Sequence, residues 1–371
     1  MEAGFPTDFY SIIERLNQVQ PAEYLRSRNF LNGAVTRLSP YISRGVISTK
    51  TVYDYISKLD LSETYLEKLL QELLWRDYFQ RVHQNLEDRI FNEISSTQEN
   101  VLNRQMPEGI VNANTGIEAI DRCLGELYKT GYMHNHMRMY TASLCCNIAG
   151  SHWKIPSSWM YYNLLDADIA SNTCSWQWVA GAFGQKKYYA NQENINKYSS
   201  SSQSKTFLDV SYEEIKNLRV PASLEHSIEP QLKTTFQKYP ELKLNPLIPT
   251  FIYNFYNLDP LWHSAQQGNR VLLLEPSHFK KYPVSDKVLS FAIELAKNIP
   301  NIQIAAMEFK VLRPQICSSE LVHKEHPLFK HYSGRKEERH WICPEVNVQF
   351  SSFFKYWKVC KKTLQKNPRQ N

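Results

Sequence analysis

The hydrophobic positions in the first half of the chain repeat with helical spacing. The clearest example is a run of leucines at intervals of three and four residues: Leu66, Leu69, Leu70, Leu73 and Leu74. This periodicity predicts a helix with one apolar side. Short segments rich in Asn, Gly, Pro and Ser separate stretches of this kind, and no convincing strand alternation interrupts them. From Asp8 to about Tyr189 the pattern therefore predicts an all-helical body.

The pattern changes in the last third of the chain. Residues 270–275 (RVLLLE) form a short apolar run, residues 285–297 return to helical spacing, and residues 301–307 (NIQIAAM) again look like a strand. Strand, helix and strand in this order predict a parallel βαβ unit. The sequence thus predicts a mostly α fold, with a helical domain in residues 1–235 and a small α/β module with a basic tail in residues 236–371.

Composition supports a folded protein with many aromatic side chains. The chain has 371 residues, of which 42% are hydrophobic and 22% charged, so wholesale disorder is excluded. Aromatic residues make up 13%, with 22 Tyr, 17 Phe and 8 Trp. That density indicates either stacking surfaces for a ring-shaped ligand or a tyrosine-rich core.

The positive charge is concentrated near the C-terminus. The formal net charge is +6, which invites a nucleic-acid interpretation. Residues 236–371 contain 20 Lys or Arg and 11 Asp or Glu, whereas residues 1–235 contain 23 and 26. Much of the excess lies in residues 355–369, which form either a solvated end, the commoner case, or a binding arm.

Cysteine usage and hydropathy bear on the cellular compartment. The seven cysteines include no C-x-x-C pair, so nothing supports a zinc or iron–sulfur site. The first fifteen residues lack the pattern of a signal peptide, and no apolar run is long enough to cross a bilayer. We therefore expect a cytoplasmic (intracellular) protein with no metal and no membrane partner.

The first candidate constellation combines hydroxyl groups with a guanidinium. Thr36, Arg37 and Ser39 lie within four residues, and Pro40 suits the first turn of a helix, which makes Ser39 a candidate N-cap. Such groups together with free helix N–H groups suit a phosphate or a diphosphate. An ordinary helix start explains the same residues.

The second constellation lies on the leucine helix. Glu72, Trp75, Arg76 and Phe79 share a face opposite much of the leucine stripe. A carboxylate beside an indole and a guanidinium can hold a flat polar ring. The alternative is a surface Glu72–Arg76 pair that flanks a core tryptophan.

The third constellation surrounds Arg138. On a helix, Tyr132, Asn135 and Arg138 or Met139 would share one face. The pair His134 and His136 points in different directions on a helix, so we reject a metal site here.

The fourth constellation is the most informative. Two carboxylates, an amide and two indoles fall within thirteen residues: Asp166, Asp168, Asn172, Trp176 and Trp178. Buried carboxylates require partners, and Arg138 is a candidate partner for Asp166. Asn172 and Trp176, four residues apart, lie on one helical face.

Together the four segments resemble the FAD-binding domain of the photolyase/cryptochrome family. The specific motifs are E-L-L-W-R-D at 72–77, M-H-N-x-x-R-M at 133–139 and D-x-D…N…W-x-W at 166–178, and the resemblance covers about Asp8 to Tyr189. It implies FAD as the cofactor. Residues around the diphosphate would be Tyr24, Thr36, Arg37, Leu38 and Ser39. Residues around the flavin ring and its sugar chain would be Arg76, Tyr132, Asn135, Arg138, Asp166 and Asp168, with Asn172 facing flavin N5.

The resemblance also implies an electron path and a pocket for damaged DNA. Trp176 matches the proximal electron-transfer indole and Trp153 the middle one. The residues that match the pocket for a flipped-out pyrimidine dimer are Glu72, Trp75, Met139 and Trp178, next to Asn172 at the flavin. The implied partner is DNA with UV photolesions, and the implied activity is that of a deoxyribodipyrimidine photolyase-like lyase, driven by light.

Two departures from the family leave a second function open. No Trp lies between Trp75 and Trp153, so the distal electron-transfer residue has no obvious counterpart. We also expect no antenna domain before the FAD domain, and the identity of any antenna chromophore stays open. The alternative is a cryptochrome-like blue-light photosensor that binds FAD without repairing DNA.

Overall fold

Helices are the predominant regular secondary structure in this protein, whose structure, a computed structural model, describes residues 4–184, 186–316 and 320–366. The α-helices of the described residues are α1 (Phe9–Asn17), α2 (Pro21–Ser27), α3 (Ser39–Ser43), α4 (Thr49–Ile56), α5 (Glu63–Leu86), α6 (Glu108–Val111), α7 (Glu118–Thr130), α8 (Asn135–Ser143), α9 (Lys154–Asn163), α10 (Ile169–Ala180), α11 (Gln192–Ser199), α12 (Ala222–Glu225), α13 (Pro276–Lys281), α14 (Asp286–Ala296), α15 (Phe309–Leu312) and α16 (Phe353–Lys366). The strands are β1 (Met106–Pro107), β2 (Ser227–Ile228), β3 (Thr250–Tyr253), β4 (Asn269–Leu273), β5 (Ile302–Ala305), β6 (Leu321–Lys324) and β7 (Arg335–Glu337). The predicted class, a mostly helical protein with a small α/β module, is confirmed.

The chain divides into two units that are interleaved along the sequence. Unit 1 comprises Met1–Pro21, Thr36–Glu87 and Lys233–Asn371. Unit 2 comprises Ala22–Val35 and Asp88–Leu232. The predicted domains, residues 1–235 and 236–371, cut across unit 1 and stay a prediction.

The leucine helix is the longest helix of unit 1. It is α5, and four of its leucines (Leu66, Leu69, Leu73 and Leu74) are buried while Leu70 is half-buried. The apolar stripe therefore faces the core, as its periodicity predicts.

The sheet of unit 1 is parallel throughout. Its strand order is β5-β4-β3-β6-β7. The predicted βαβ unit is confirmed: β4 pairs in parallel with β5, with Leu272 opposite Ile304, and α14 lies between them in the chain with Ser285 as its N-cap. The central strand β3 and the strands β6 and β7, of four, four and three residues, were not predicted.

Two carboxylates cap helices across neighbouring strand ends of this sheet. Glu275 follows β4 and accepts a hydrogen bond from the N–H of Phe309, at the start of α15, at 2.8 Å. Glu308 follows β5 and accepts from the N–H of Ser277, in the first turn of α13, also at 2.8 Å. The loop after β4 thus supplies an acceptor to α15, and the loop after β5 supplies an acceptor to α13.

In unit 2, a buried glutamine near the end of α10 connects this helix to the backbone of residues 90–94. The side chain of Gln177 donates to the carbonyls of Ile90 and Asn92 at 2.9 and 3.1 Å and accepts from the N–H of Ile94 at 2.9 Å. Helix α10 then ends at Gly181, whose φ of 80° is the left-handed conformation that glycine tolerates. A short antiparallel pair of β1 and β2 also lies in unit 2, within the region where the sequence predicted helices.

Two local predictions need correction. Helix α3 begins at Ser39, so Leu38 rather than Ser39 is at the N-cap position, and no side chain caps this helix. Helix α8 begins at Asn135, with His134 as its N-cap, so Tyr132 lies in the preceding loop and not on the helical face that the spacing suggested.

Two further properties of the described residues concern membrane spans and cysteines. None of the helices formed by residues 4–184, 186–316 and 320–366 combines the length and the apolar character that a membrane span requires. Six cysteines are buried and form no disulfide: Cys123, Cys145, Cys146, Cys174, Cys343 and Cys360. The seventh, Cys317, lies outside the described residues.

Candidate functional site

An ion pair between Arg138 and Asp166 is the central charged feature of unit 2. Arg138 Nη2 lies 2.9 Å from Asp166 Oδ2, and Arg138 Nε donates to the carbonyl of Met133 at 2.8 Å. The Asp166 side chain is 3% exposed and the Arg138 side chain 22%. Burial of a carboxylate is costly without a partner, and the partner suggested by the sequence is the one that the fold provides.

Asp168 begins the helix that carries the remaining polar residues of this segment. Its Oδ1 accepts from the N–H of Ser171 at 2.8 Å, so the carboxylate caps α10. The charge also lies at the positive end of the helix dipole. This cap fixes the first turn of α10, on which Asn172 is located.

The amide of Asn172 is oriented by a neighbouring helix. Its Nδ2 donates to the carbonyl of Ser157, in α9, at 2.9 Å. Among the described residues nothing donates to its carbonyl oxygen. The amide therefore presents a hydrogen-bond acceptor held by a fixed donor contact.

Two of the predicted indoles are buried and one is exposed. Trp153 and Trp176 are 1% and 2% exposed. Trp178, two residues after Trp176, is 41% exposed, and its ring lies 5.7 Å from that of Tyr188 at 33°. Helix α10 thus directs one indole into the core and the other outwards.

Of the remaining predicted residues of unit 2, Tyr132, Asn135 and Met139 lie close to Arg138 in the chain and Tyr24 lies in a separate segment. The Arg138 guanidinium lies 5.5 Å from the centroid of the Tyr132 ring, a cation–π contact. Asn135 Nδ2 donates weakly to the sulfur of Met139 at 3.7 Å. Tyr24 is half-buried on α2.

In unit 1, the predicted pocket residues on α5 already have partners in the protein. Glu72 Oε1 lies 2.7 Å from Lys68 Nζ. The Trp75 ring stacks on Phe353, with centroids 3.7 Å apart and an interplanar angle of 12°. Arg76, which directly follows Trp75 in the chain, is half-buried. One face of Trp75 is therefore covered by the first residue of α16.

A buried carboxylate on the same helix was not singled out by the sequence. Asp77 accepts from the hydroxyl of Thr49 at 2.6 Å and from the N–H of Ile342 at 3.1 Å. Burial raises the pKa of Asp77 to about 6, although these hydrogen bonds and nearby arginines oppose the rise. Its only sequence signal is a polar residue at a position in register with the buried leucines.

The hydroxyl and guanidinium segment before α3 has an unusual backbone. Arg37 has a φ of 52°, in the left-handed region that non-glycine residues seldom adopt. Thr36 Oγ1 accepts from the N–H of Leu38 at 3.4 Å. The turn brings Thr36, Arg37, Leu38 and Ser39 to the start of a helix, as the sequence suggested.

The structure also contains a cavity that no predicted site residue lines. It measures about 600 Å³ and lies between α4, α5 and α16 in unit 1. Its lining residues are Tyr53, Ile56, Ser57, Glu63, Leu66, Glu67, Leu70, Trp357, Lys361, Leu364 and Gln365. Within the part of the chain that the structure describes, no three His, Cys, Asp or Glu side chains are arranged to hold a metal ion.

Comparison with known proteins assigns the helical segment. Residues 69–224 match the family described as the FAD binding domain of DNA photolyase. This segment is thus similar to the FAD-binding domain of DNA photolyases. The photolyase-type segment contains every predicted residue from Glu72 to Trp178, whereas Tyr24 and residues 36–39 precede it.

Individual relatives carry both of the family's names. The chain is 32% identical over 168 residues to cryptochrome DASH of Danio rerio and 30% identical over 167 residues to the deoxyribodipyrimidine photo-lyase of Alkalihalophilus pseudofirmus. These matches cover 43% and 42% of the chain. They cover 32% and 34% of the relatives, so the chain spans about a third of their length.

Among solved structures, the cryptochrome of Synechocystis sp. PCC6803 is similar to this chain. The two are 25% identical with a TM-score of 0.48, and the match covers 52% of this chain and 44% of that structure.

The polar groups of unit 2 fit a flavin. The edge of an isoalloxazine ring alternates carbonyl acceptors with the N3–H donor and ends at N5. Arg138 supplies donors, Asp166 and Asp168 supply acceptors, and Asn172 supplies a fixed carbonyl. The chemistry of this donor and acceptor set therefore suits the cofactor for which the family is named.

Proposed function

We propose that this protein is a DNA photolyase-like enzyme that uses FAD and light to split pyrimidine dimers in DNA. The observation that carries the proposal is the buried Arg138–Asp166 ion pair, followed on α10 by the oriented amide of Asn172, in a segment of the photolyase family. When bound, reduced FAD supplies a light-excited one-electron donor to the lesion.

The residues of unit 2 would bind and orient the flavin. Arg138, held by Asp166 and by the Met133 carbonyl, is a rigid cation that stabilises negative charge on the ring. Asn172, with its amide nitrogen bound to the Ser157 carbonyl, would offer its carbonyl oxygen to a proton at N5. Trp176 and Trp153 are the proposed electron path, and their burial keeps water away from the indoles.

The pocket residues would receive the lesion. Glu72 has the carboxylate to accept a hydrogen bond from a thymine edge, and Trp75, Trp178 and Met139 supply apolar faces for stacking. Trp178 is exposed and available for such contact. DNA with UV photolesions is accordingly the proposed partner, and we propose an intracellular location in keeping with the unpaired cysteines.

One observation favours the alternative, a cryptochrome-like photosensor. Phe353 stacks on Trp75, and Lys68 pairs with Glu72, so two proposed lesion contacts are engaged within the protein. A photosensor needs the flavin residues but not a free lesion pocket.

Spectroscopy followed by a repair assay separates the two functions. The purified protein is examined for flavin absorbance, its flavin is chemically reduced, and oligonucleotides with a cyclobutane dimer or a (6-4) lesion are added in light and in darkness. We expect a yellow protein that repairs one lesion only in light. A yellow protein that repairs neither lesion supports the photosensor, and a colourless protein that takes up no FAD refutes both.

A matched pair of variants tests the pocket. Glu72→Gln removes the proposed carboxylate, and Glu63→Gln makes the same change at an exposed position of α5. We expect repair to fall at least tenfold in E72Q and to stay unchanged in E63Q, with flavin absorbance equal in both. Equal repair in the two variants would remove Glu72 from the site.

A further inference from the structure

Helix α16 carries lysines without any acidic residue. Its fourteen residues contain five lysines and no Asp or Glu. Lys361 pairs with Glu67 at 2.9 Å. The other four are exposed and form no ion pair with any described carboxylate: Lys355, Lys358, Lys362 and Lys366. We refer to these four residues as the lysine stripe.

The stripe is straight and has a defined length. At 100° per residue its four members fall within about 80° of one another, and their span along the axis is roughly 16 Å. One DNA strand presents a phosphate about every 3.4 Å of helix axis. The length of the stripe therefore equals about five phosphate spacings along one strand.

The opposite side of α16 is unavailable for a membrane. Phe353, Tyr356, Trp357 and Cys360 are buried in unit 1. A basic amphipathic helix binds a bilayer through its apolar face, and here that face packs inside the protein. The charge pattern consequently favours a polyanion in water over a lipid surface.

An exposed aromatic residue lies at the start of the stripe. Phe354 is 68% exposed, and its ring lies 6.4 Å from Trp75 at 78°. On the helix it is four residues before Lys358, so the two share a face. Aromatic faces beside a row of lysines are the combination with which proteins bind nucleic acid strands independently of sequence.

We propose that α16 is a DNA-binding element in which the lysine stripe contacts phosphates and Phe354 stacks on an unpaired base. The inference rests on the proposed function for the identity of the polyanion, and it goes further by assigning the contact to a helix outside the matched segment 69–224. Binding through this helix does not depend on a lesion or on light.

The test measures binding of undamaged DNA in darkness. Full-length protein is titrated into labelled single-stranded and duplex oligonucleotides, followed by fluorescence anisotropy between about 50 and 200 mM salt. In the double variant K358Q/K362Q we expect affinity to fall roughly tenfold and the salt slope to drop by about 1.4 for single strands and about 1.8 for duplex. The control K280Q/K310Q makes the same charge change at exposed positions of α13 and α15 and should bind as the wild type.

A second variant separates stacking from charge. Phe354→Ala should weaken single-strand binding about tenfold with an unchanged salt slope, because a base contact is lost and no phosphate contact. All variants change exposed side chains, and equal unfolding midpoints confirm that they fold. The inference is overturned if K358Q/K362Q binds as the wild type, if K280Q/K310Q loses as much affinity, or if vesicles of anionic phospholipid bind α16 more tightly than DNA.

The outcome is distinguishable from that of the proposed function. If light-dependent repair occurs but the stripe variant binds DNA normally, only the inference on α16 fails. If the stripe variant loses DNA binding but the wild type repairs neither lesion, only the proposed enzymatic activity fails.

Discussion

Asp166 and Asn172, two residues of the proposed flavin site, are each oriented by one contact within unit 2. The side chain of Asp166 is 3% exposed and lies 2.9 Å from Arg138. The amide nitrogen of Asn172 donates to the carbonyl of Ser157, which leaves its carbonyl oxygen available as an acceptor. In both cases one contact within the protein fixes the side chain and leaves a second group to meet a ligand.

Replacing Asn172 tests its position at the flavin. In Asn172→Ala the carbonyl acceptor is lost, so the flavin absorption spectrum recorded during illumination should differ from that of the wild type. Asn163→Ala is the control, because Asn163 also donates its amide to a helix carbonyl, that of Trp159, at 2.9 Å. An unchanged spectrum in N172A would show that Asn172 does not face N5.

Buried histidines make unit 1 sensitive to acid. Burial lowers the pKa of His278 to about 3 and holds the pKa of His326 well below its usual range. Both rings are thus neutral in the folded protein, while the unfolded chain takes up their protons below about pH 6.5. Unfolding becomes easier as the pH falls through that value.

The variant His278→Gln should reduce this acid sensitivity. Glutamine stays neutral, so the loss of unfolding free energy between pH 7 and pH 5 should be smaller than in the wild type by about 2 kcal/mol. Urea unfolding at the two pH values measures the difference. Equal losses in the two proteins would mean that His278 is protonated without cost in the folded state.

At the scale of elements, the sequence predicts what is local and misses what is distant. The leucine spacing of α5 and the succession of β4, α14 and β5 depend on neighbouring residues, and both predictions are confirmed. The hydrogen bond from Ile342 to Asp77 joins positions 265 residues apart. No periodicity encodes such a contact, since it arises only when the elements pack.

The candidate site divides differently, because the sequence suggested a partner 28 residues away and missed one four residues away. Motif spacing pointed to Arg138 as the partner of Asp166, and the ion pair forms. The spacing could not show that Lys68 pairs with Glu72 or that Phe353 covers Trp75, because a helix offers several partners at equal distance and α16 lies far along the chain. The roles of these residues at a flavin or a lesion stay predictions.

The junction of α5 and α16 can be tested with two adjacent phenylalanines. Phe353 is 2% exposed and stacks on Trp75, whereas Phe354 is mostly exposed. Phe353→Ala should lower the free energy of unfolding by about 3–5 kcal/mol through the lost contact and the cavity left behind. Phe354→Ala should change it by less than about 0.5 kcal/mol. Urea unfolding measures both changes. Similar losses of unfolding free energy in the two variants would contradict the stacking of Phe353 on Trp75.

At the scale of the whole molecule, interleaving determines which fragments can fold. Unit 1 needs residues 36–87 together with the sheet and α16 from residues 233–371. We expect a fragment of residues 1–235 to keep the cooperative unfolding of unit 2 but to leave the amides of α5 unprotected from hydrogen exchange, since α5 loses the partners of Trp75 and Asp77. Co-expression with residues 236–371 should restore the protection of α5 in a co-purifying complex. If α5 is protected in the fragment alone, the domain boundary predicted from the sequence is the better description.

The interleaved path also orders events during synthesis. Unit 2 is complete when residue 232 has left the ribosome, but 139 further residues belong to unit 1. At about 5–20 residues per second they take roughly 7–28 s to translate. During that interval the leucine stripe of α5 lacks the sheet and α16 as packing partners. We therefore expect nascent chains in which unit 2 has folded and unit 1 is still incomplete, and in which α5 is accessible to chaperones and proteases.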